Sequence, residues 1–258
     1  MSQGKKRSRR NRRGFHVTKK LTTGALVAVG VAAVALSATA IYGSQPTVNE
    51  RAVRMPSAAP EVPDVKPVLT LSRGEGPLRV LIVGDSLTGS LYASTEEAGY
   101  QPSMIRALEV GGEVTTKLGH RTGSKTADAT GLTELGDNED LAVIELGTND
   151  YNVTSIPDFI EAYRAIIAAI QSASPNVKVL CVGTWQPLQY GAPYDRIIKS
   201  ECEAAGGVYR ALFDLHANQA NRGPAGNAVF GGTSDNFHPN DTGYAKIAER
   251  LLGAIVVN

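Results

Sequence analysis

Apolar positions along the chain change their spacing at about residue 78, and the change marks where folded structure is expected to begin. Arg79–Val83 is a short apolar run ended by Gly84, and Leu141–Leu146 is another ended by Gly147. Runs of this length predict strands buried on both faces of a parallel sheet. Glu113–Leu118 alternates as a strand does, and Val177–Val182 and Val208–Leu215 bring the predicted strands to five. Between them, residues 88–109 predict a helix broken near Gly99 and Pro102. The strongest helical pattern covers 156–172, where Phe159, Tyr163, Ile166, Ile167 and Ile170 share a face. Ser155 stands at its N-cap and Pro157 in its first turn. Tyr194–Ala205 predicts a further helix, and Asp241–Val256 the last, capped by Asn240 or Asp241. Five strands interleaved with helices predict an α/β domain over 78–258, with a mainly parallel sheet covered on both faces. Ligands of such open sheets bind beyond the carboxyl ends of the strands, where strand order reverses. The loops after strands are therefore where chemistry is to be sought.

Upstream of residue 78 neither period persists. Residues 44–77 hold six of the thirteen prolines and read as a stiff, extended tether. Residues 1–43 join a basic run, Lys5 to Lys20, to a charge-free stretch from Leu21 to Tyr42. This order predicts a signal peptide or an N-terminal membrane anchor, with the remainder of the chain on the outer side. Ala38-Thr39-Ala40 is an acceptable cleavage site, and Arg12-Arg13-Gly14-Phe15 looks like a twin-arginine export signal. The apolar stretch is also long enough to span a bilayer, so cleavage and anchoring both stay open. The expected location is extracellular, or anchored at the outer face of a bacterial cytoplasmic membrane.

Charge sharpens this division. The net charge of +1 conceals an uneven distribution: the first twenty residues carry nine of the 26 basic residues and no acid. The remaining chain has an excess of eight acids, which argues against nucleic acid as a partner. Cys181 falls in a predicted strand and Cys202 on an apolar helix face, and they read as small buried residues ahead of a disulfide. No cluster has metal-ligand spacing, so no metal or other cofactor is expected.

Three motifs stand at ends of these elements: Gly84-Asp85-Ser86-Leu87 after the first strand, Gly147-Thr148-Asn149-Asp150 after the third, and Asp235-Asn236-Phe237-His238 before the last helix. With a loop glycine after the second strand, they follow the order of blocks in the SGNH (GDSL-type) hydrolases, which residues 78–258 resemble. The resemblance implies a three-layer α/β/α sandwich with a flavodoxin-like five-stranded sheet. It further implies a catalytic triad of Ser86, His238 and Asp235. The oxyanion hole would be formed by the Ser86 N–H, the Gly123 N–H and the Asn149 amide. Gly123 fits that block better than Gly119, although the loop departs from the commonest spacing.

Those residue types suit the chemistry. A serine hydroxyl needs a base to take its proton, and histidine is the usual base near neutral pH. A carboxylate three residues before that histidine can hold its tautomer and stabilise its cation. His120 reads as an exposed loop residue, and His216 as a weaker candidate that lacks the following helix entry. Trp185, Tyr190 and Tyr194 follow the fourth strand, and Trp185 is expected to line the substrate. The expected protein is an exported serine esterase with a monomeric catalytic domain. It would hydrolyse, or transfer, a small acyl group such as acetyl from a cell-envelope or extracellular carbohydrate or lipid ester. Its membrane contact would be the N-terminal segment, if uncleaved. The alternative is a non-catalytic module of the same fold that binds glycan or a partner.

Overall fold

The structure, a computed structural model, describes residues 67–258. The leader and most of the tether, and with them the export and anchoring expectations, lie outside the described residues. Among the described residues no helix is long and apolar enough to cross a membrane.

Five parallel strands form the central sheet: β2 (Leu78–Gly84), β3 (Val114–His120), β4 (Leu141–Glu145), β5 (Lys178–Val182) and β6 (Val208–Arg210), in the order β3-β2-β4-β5-β6. Alternation along each strand sends side chains to two cores. Val80, Ile82, Leu141, Val143, Leu180 and Val182 pack on one face with helices α1 (Tyr100–Glu109) and α5 (Asp241–Leu252). On the opposite face, Leu81, Val83, Ala142, Ile144, Val179 and Cys181 pack against α2 (Ile156–Ala173) and α3 (Leu188–Ala204). The result is the expected three-layer α/β/α sandwich. Chain order reverses between β2 and β4, which pair directly, with Gly84 opposite Glu145. Ser86 and Asn149 follow these two strands and so meet at the switch point.

Helix ends follow local chemistry. The Ser155 hydroxyl accepts from the Asp158 N–H at the start of α2, and the Asn240 side chain accepts from the Gly243 N–H at the start of α5.

Four expectations change. Leu69–Leu71 forms a strand, β1, inside the stretch read as tether, and pairs in parallel with β9 (Ile255–Val257), where the last helix was expected to continue. A three-residue edge pair carries too few positions for its period to show in the sequence. Residues 96–98 form only a 3-10 turn, and the regular helix α1 starts at Tyr100 after Gly99, so the helix expected from 88 is shorter. The strand expected over 208–215 ends at Arg210, and Phe213–Ala217 is a short helix, α4. Finally, Cys181 and Cys202 are bonded, with an S–S distance of 2.06 Å and Cα atoms 6.1 Å apart, which ties the end of β5 to α3. The expectation of two separate buried thiols is corrected: each is buried, and they face each other across one core.

Candidate active site

Ser86 lies one residue beyond the Gly84-Asp85 exit of β2, in a turn where the Gly89 N–H donates to the Asp85 carbonyl and the Leu91 N–H to the Ser86 carbonyl. Gly84 is required there by space: a Cβ on it would stand 1.9 Å from the Thr88 hydroxyl. The segment then passes through two residues with left-handed backbone, Ser90 (φ 57°) and Tyr92 (φ 67°), a conformation costly for residues other than glycine. Neighbours hold it there. The Tyr92 N–H donates to the Phe230 carbonyl, beside the hairpin of β7 (Ala228–Val229) and β8 (Gly232–Thr233). Tyr244 of α5 donates its hydroxyl to the Leu91 carbonyl, and the Ser94 N–H donates to Asp241. The nucleophile's segment is thus bonded to the helix that follows His238.

Ser86 Oγ stands 3.1 Å from His238 Nε2, and His238 Nδ1 stands 2.8 Å from Asp235 Oδ2. The other Asp235 oxygen accepts from the backbone N–H groups of Phe237 at 2.9 Å and His238 at 2.7 Å. Because the carboxylate faces Nδ1, the proton of a neutral imidazole belongs on Nδ1, leaving Nε2 free to accept from Ser86. Burial works to raise the pKa of Asp235, but the N–H groups and ring of His238 and the Phe237 N–H outweigh it and hold the carboxyl below its ordinary range. A second acceptor, Asp85 Oδ1, lies 3.5 Å from Ser86 Oγ, so the shorter contact is to the imidazole. Tyr92 and Phe237 meet the His238 ring edge to face, with centroids 4.9 and 5.3 Å away, and fix its plane.

The donors expected at an oxyanion are those of Ser86, Asn149 and Gly123. Asn149 Nδ2 donates to Asp85 Oδ2 at 2.8 Å and to the Ser124 carbonyl at 3.1 Å. Two acceptors facing one end of the amide fix which end carries nitrogen. Gly123 is the third residue of a turn closed by the Ser124 N–H on the Arg121 carbonyl. Its φ of +75° requires glycine even though a Cβ would touch nothing within 4 Å. Among the described residues, the N–H groups of Ser86 and Gly123 donate to no carbonyl of the turns they occupy.

Trp185 departs from expectation. It is fully buried, its indole N–H donating to the Phe237 carbonyl at 2.7 Å and its backbone N–H to the Thr148 hydroxyl at 3.0 Å. It therefore cannot line a substrate surface. It braces the histidine loop from beneath and links it to the Asn149 loop. Tyr190, by contrast, is 41% exposed and stacks on Tyr151 at 4.7 Å, while the Tyr194 hydroxyl bonds the Asp150 and Thr154 carbonyls. His120 is exposed and lies over Gly89. His216 is buried between Trp185 and Phe237, with neither ring nitrogen bonded to a protein group, and is no base for Ser86. Burial, then the charge of Arg222, depresses its pKa to about 4.

Pattern reading missed Glu145. It closes an otherwise apolar strand and is fully buried, accepting from the Asp85 N–H, the Thr88 N–H and the Thr88 hydroxyl. An acid at the end of a run whose other members are all core residues is the signal that could have found it. A cavity of about 760 Å³ lies against the β6 edge and is lined by Tyr209, Arg210, Asp214 and Arg250. It contains none of the groups around Ser86, so the chemistry, and not cavity size, locates the site. Among the described residues no cluster of His, Cys, Asp and Glu could hold a metal ion.

A hydroxyl, an imidazole and a carboxylate joined in one hydrogen-bonded chain form the constellation of a serine hydrolase. Residues 82–246 match the model of the GDSL-like lipase/acylhydrolase family, and the chain belongs to that family. It is a serine ester hydrolase by that membership. Solved structures agree in fold. A psychrotrophic esterase, EstA from Pseudoalteromonas sp., is 16% identical, with a TM-score of 0.56 over 69% of this chain and 96% of its own. TesA is 17% identical, with a TM-score of 0.52 over 68% and 97%. A two-domain esterase described as active on acetylated mannans is 17% identical, with a TM-score of 0.55 over 68% of this chain and 47% of its own. No curated protein sequence matches the chain.

Proposed function

We propose that this chain is an exported esterase that removes a small acyl group, such as acetyl, from a cell-envelope or extracellular ester, with a carbohydrate favoured over a lipid. The observation that carries the reading is the continuous chain from Ser86 Oγ through the His238 ring to Asp235. In the proposed reaction, His238 Nε2 takes the Ser86 proton as Oγ bonds to the acyl carbon. Asp235 stabilises the resulting imidazolium through Nδ1–H. The oxyanion takes hydrogen bonds from the Ser86 and Gly123 N–H groups and from the Asn149 amide, whose N–H turns from the Ser124 carbonyl. Collapse breaks the ester C–O bond, and the leaving alcohol receives the proton from His238. Water, deprotonated by the same ring, then attacks the acyl-enzyme and restores the Ser86 hydroxyl.

Three observations support the finer parts. A disulfide between Cys181 and Cys202 suits an oxidising compartment outside the cytoplasm. The basic and apolar leader suits export. The mannan-active esterase of like fold supports an acylated glycan. The test is hydrolysis of activated esters of increasing acyl length, followed by acetylated glycans. Wild type should favour acetyl and Ser86→Ala should lose about 10⁴-fold or more in kcat. Equal rates for the two proteins would overturn the assignment, and equal rates on acetyl and long-chain esters would overturn the small-acyl part.

A further inference from the structure

Beneath Ser86 the sheet buries two carboxyl groups against each other. Asp85 and Glu145 are both fully buried. A charge there is strongly disfavoured unless an opposite charge or a proton compensates it. Among the described residues no cationic side chain forms a hydrogen bond or ion pair with either. The groups that face them are the Asp150 carboxyl beside Asp85 and the phenols of Tyr100 on α1, Tyr163 on α2 and Tyr244 on α5, all three raised in pKa by burial. Two adjacent carboxylates without a cation cannot both stay ionised, so one proton lies between them.

The hydrogen bonds say where. Asp85 is fitted to be the anion, because its oxygens accept from the Leu87 N–H at 3.0 Å and the Asn149 amide at 2.8 Å. Glu145 presents two unlike oxygens. Oε2 accepts from the Thr88 hydroxyl at 3.0 Å and from two backbone N–H groups at 3.3 Å, as a carbonyl oxygen does. Oε1 is buried and receives no donor, which is the situation of a hydroxyl oxygen that itself donates. The Asp85 N–H on Oε2 sets the two residues side by side, and the Asp85 carboxyl is the neighbouring group to which a protonated Glu145 can donate.

We propose that Glu145 is a neutral carboxylic acid that donates to Asp85 and, through that carboxylate, holds the Asn149 amide at the oxyanion position. Glu145 is then a positioning residue: it touches no substrate, and its effect passes through Asp85. Burial and the neighbouring negative charge keep its carboxyl far above the ordinary range. Burial also raises Asp85, to about 6, against the pull of its donors. Loss of the shared proton would set two anions against each other under Ser86 and move Asp85 away from Asn149.

The inference rests on the esterase reading, and its test separates the two. Hydrolysis of p-nitrophenyl acetate is compared for wild type, Glu145→Leu and Glu145→Gln from mildly acid to alkaline pH. Leucine removes the donor to Asp85 and should lower kcat about 10²-fold with KM little changed. Glutamine keeps an N–H donor for Asp85 and a carbonyl for Thr88, so it should recover most of that loss and flatten any alkaline decline. Infrared spectra of the folded proteins supply a second arm, which holds even if the leucine variant does not fold. A protonated-carboxyl band should persist in wild type at neutral pH and be absent from Glu145→Gln. A glutamine variant as slow as leucine, a leucine variant as fast as wild type, or no such band in wild type would overturn the proposal. A wild type without esterase activity would instead overturn the esterase reading, while the infrared arm still decides the proton.

Discussion

Two aspartates flank Ser86, one in the turn after β2 and one in the loop before α5, and the same side chain meets opposite fates. Asp235 is partly exposed, accepts two backbone N–H groups and the His238 ring, and stays ionised well into acid. Asp85 is fully buried beside a second carboxyl, and burial raises its pKa to about 6. One can stabilise a cation that forms during the reaction, whereas the other can only anchor neutral donors around the hydroxyl. Surroundings set these roles, because residue type does not separate them.

The sharpest way to break this comparison is at Asp235. Asp235→Asn keeps the shape but presents an amide to Nδ1 and frees the ring to adopt the wrong tautomer. We expect kcat for a small activated ester to fall about 10³–10⁴-fold. A loss of only a few fold would mean that Asp235 orients nothing essential. On the other side, Asn149→Ala removes the group that Asp85 holds and should cost about 10²–10³-fold in kcat with KM little changed. A change confined to KM would reassign Asn149 to substrate binding.

A smaller effect concerns stability and the buried ring under the histidine loop. His216 has a folded-state pKa near 4 against 6.5 for the free side chain, so the unfolded chain takes up its proton first as pH falls. Stability should decline from about pH 6.5 toward 4, by roughly 3 kcal/mol at 1.36 kcal/mol per pK unit. Asp85 acts in the other direction. Burial raises its carboxyl above the ordinary aspartate range, so the folded state takes the proton first and gains stability as pH falls toward that range. The two slopes oppose each other in wild type, and a variant is needed to separate them. The stability of His216→Phe relative to wild type, read from urea midpoints, should rise as pH is lowered from 7 toward 5. Parallel pH curves would contradict the burial of a neutral imidazole at this place.

Much of this was legible in the residues. The apolar runs of β2, β4 and β5 and the one-sided pattern of α2 are strong signals, because each strand is buried on both faces and the helix on one. The motifs at Ser86, Asn149 and His238 mark positions that the sheet order then brings together. Three things were not legible. β1 and β9 are three residues each and exist only as a pair, so neither declares itself alone. Trp185 follows a strand, as a rim residue would, but the side on which an indole buries depends on the Phe237 carbonyl 52 residues away. Cys181 and Cys202 each lie on a buried face, and their contact depends on how α3 docks against β5. Glu145 was visible as a residue and misread as pattern, since one acid barely perturbs an apolar average.

The central claim, that His238 and Asp235 activate the Ser86 hydroxyl, is tested most directly by covalent trapping. Wild type and His238→Ala are treated with a fluorophosphonate, and the modified peptide is identified by mass spectrometry. The account predicts a single phosphonyl adduct on Ser86 in wild type and almost none in His238→Ala. An adduct elsewhere, no adduct, or equal labelling of the two proteins would contradict it.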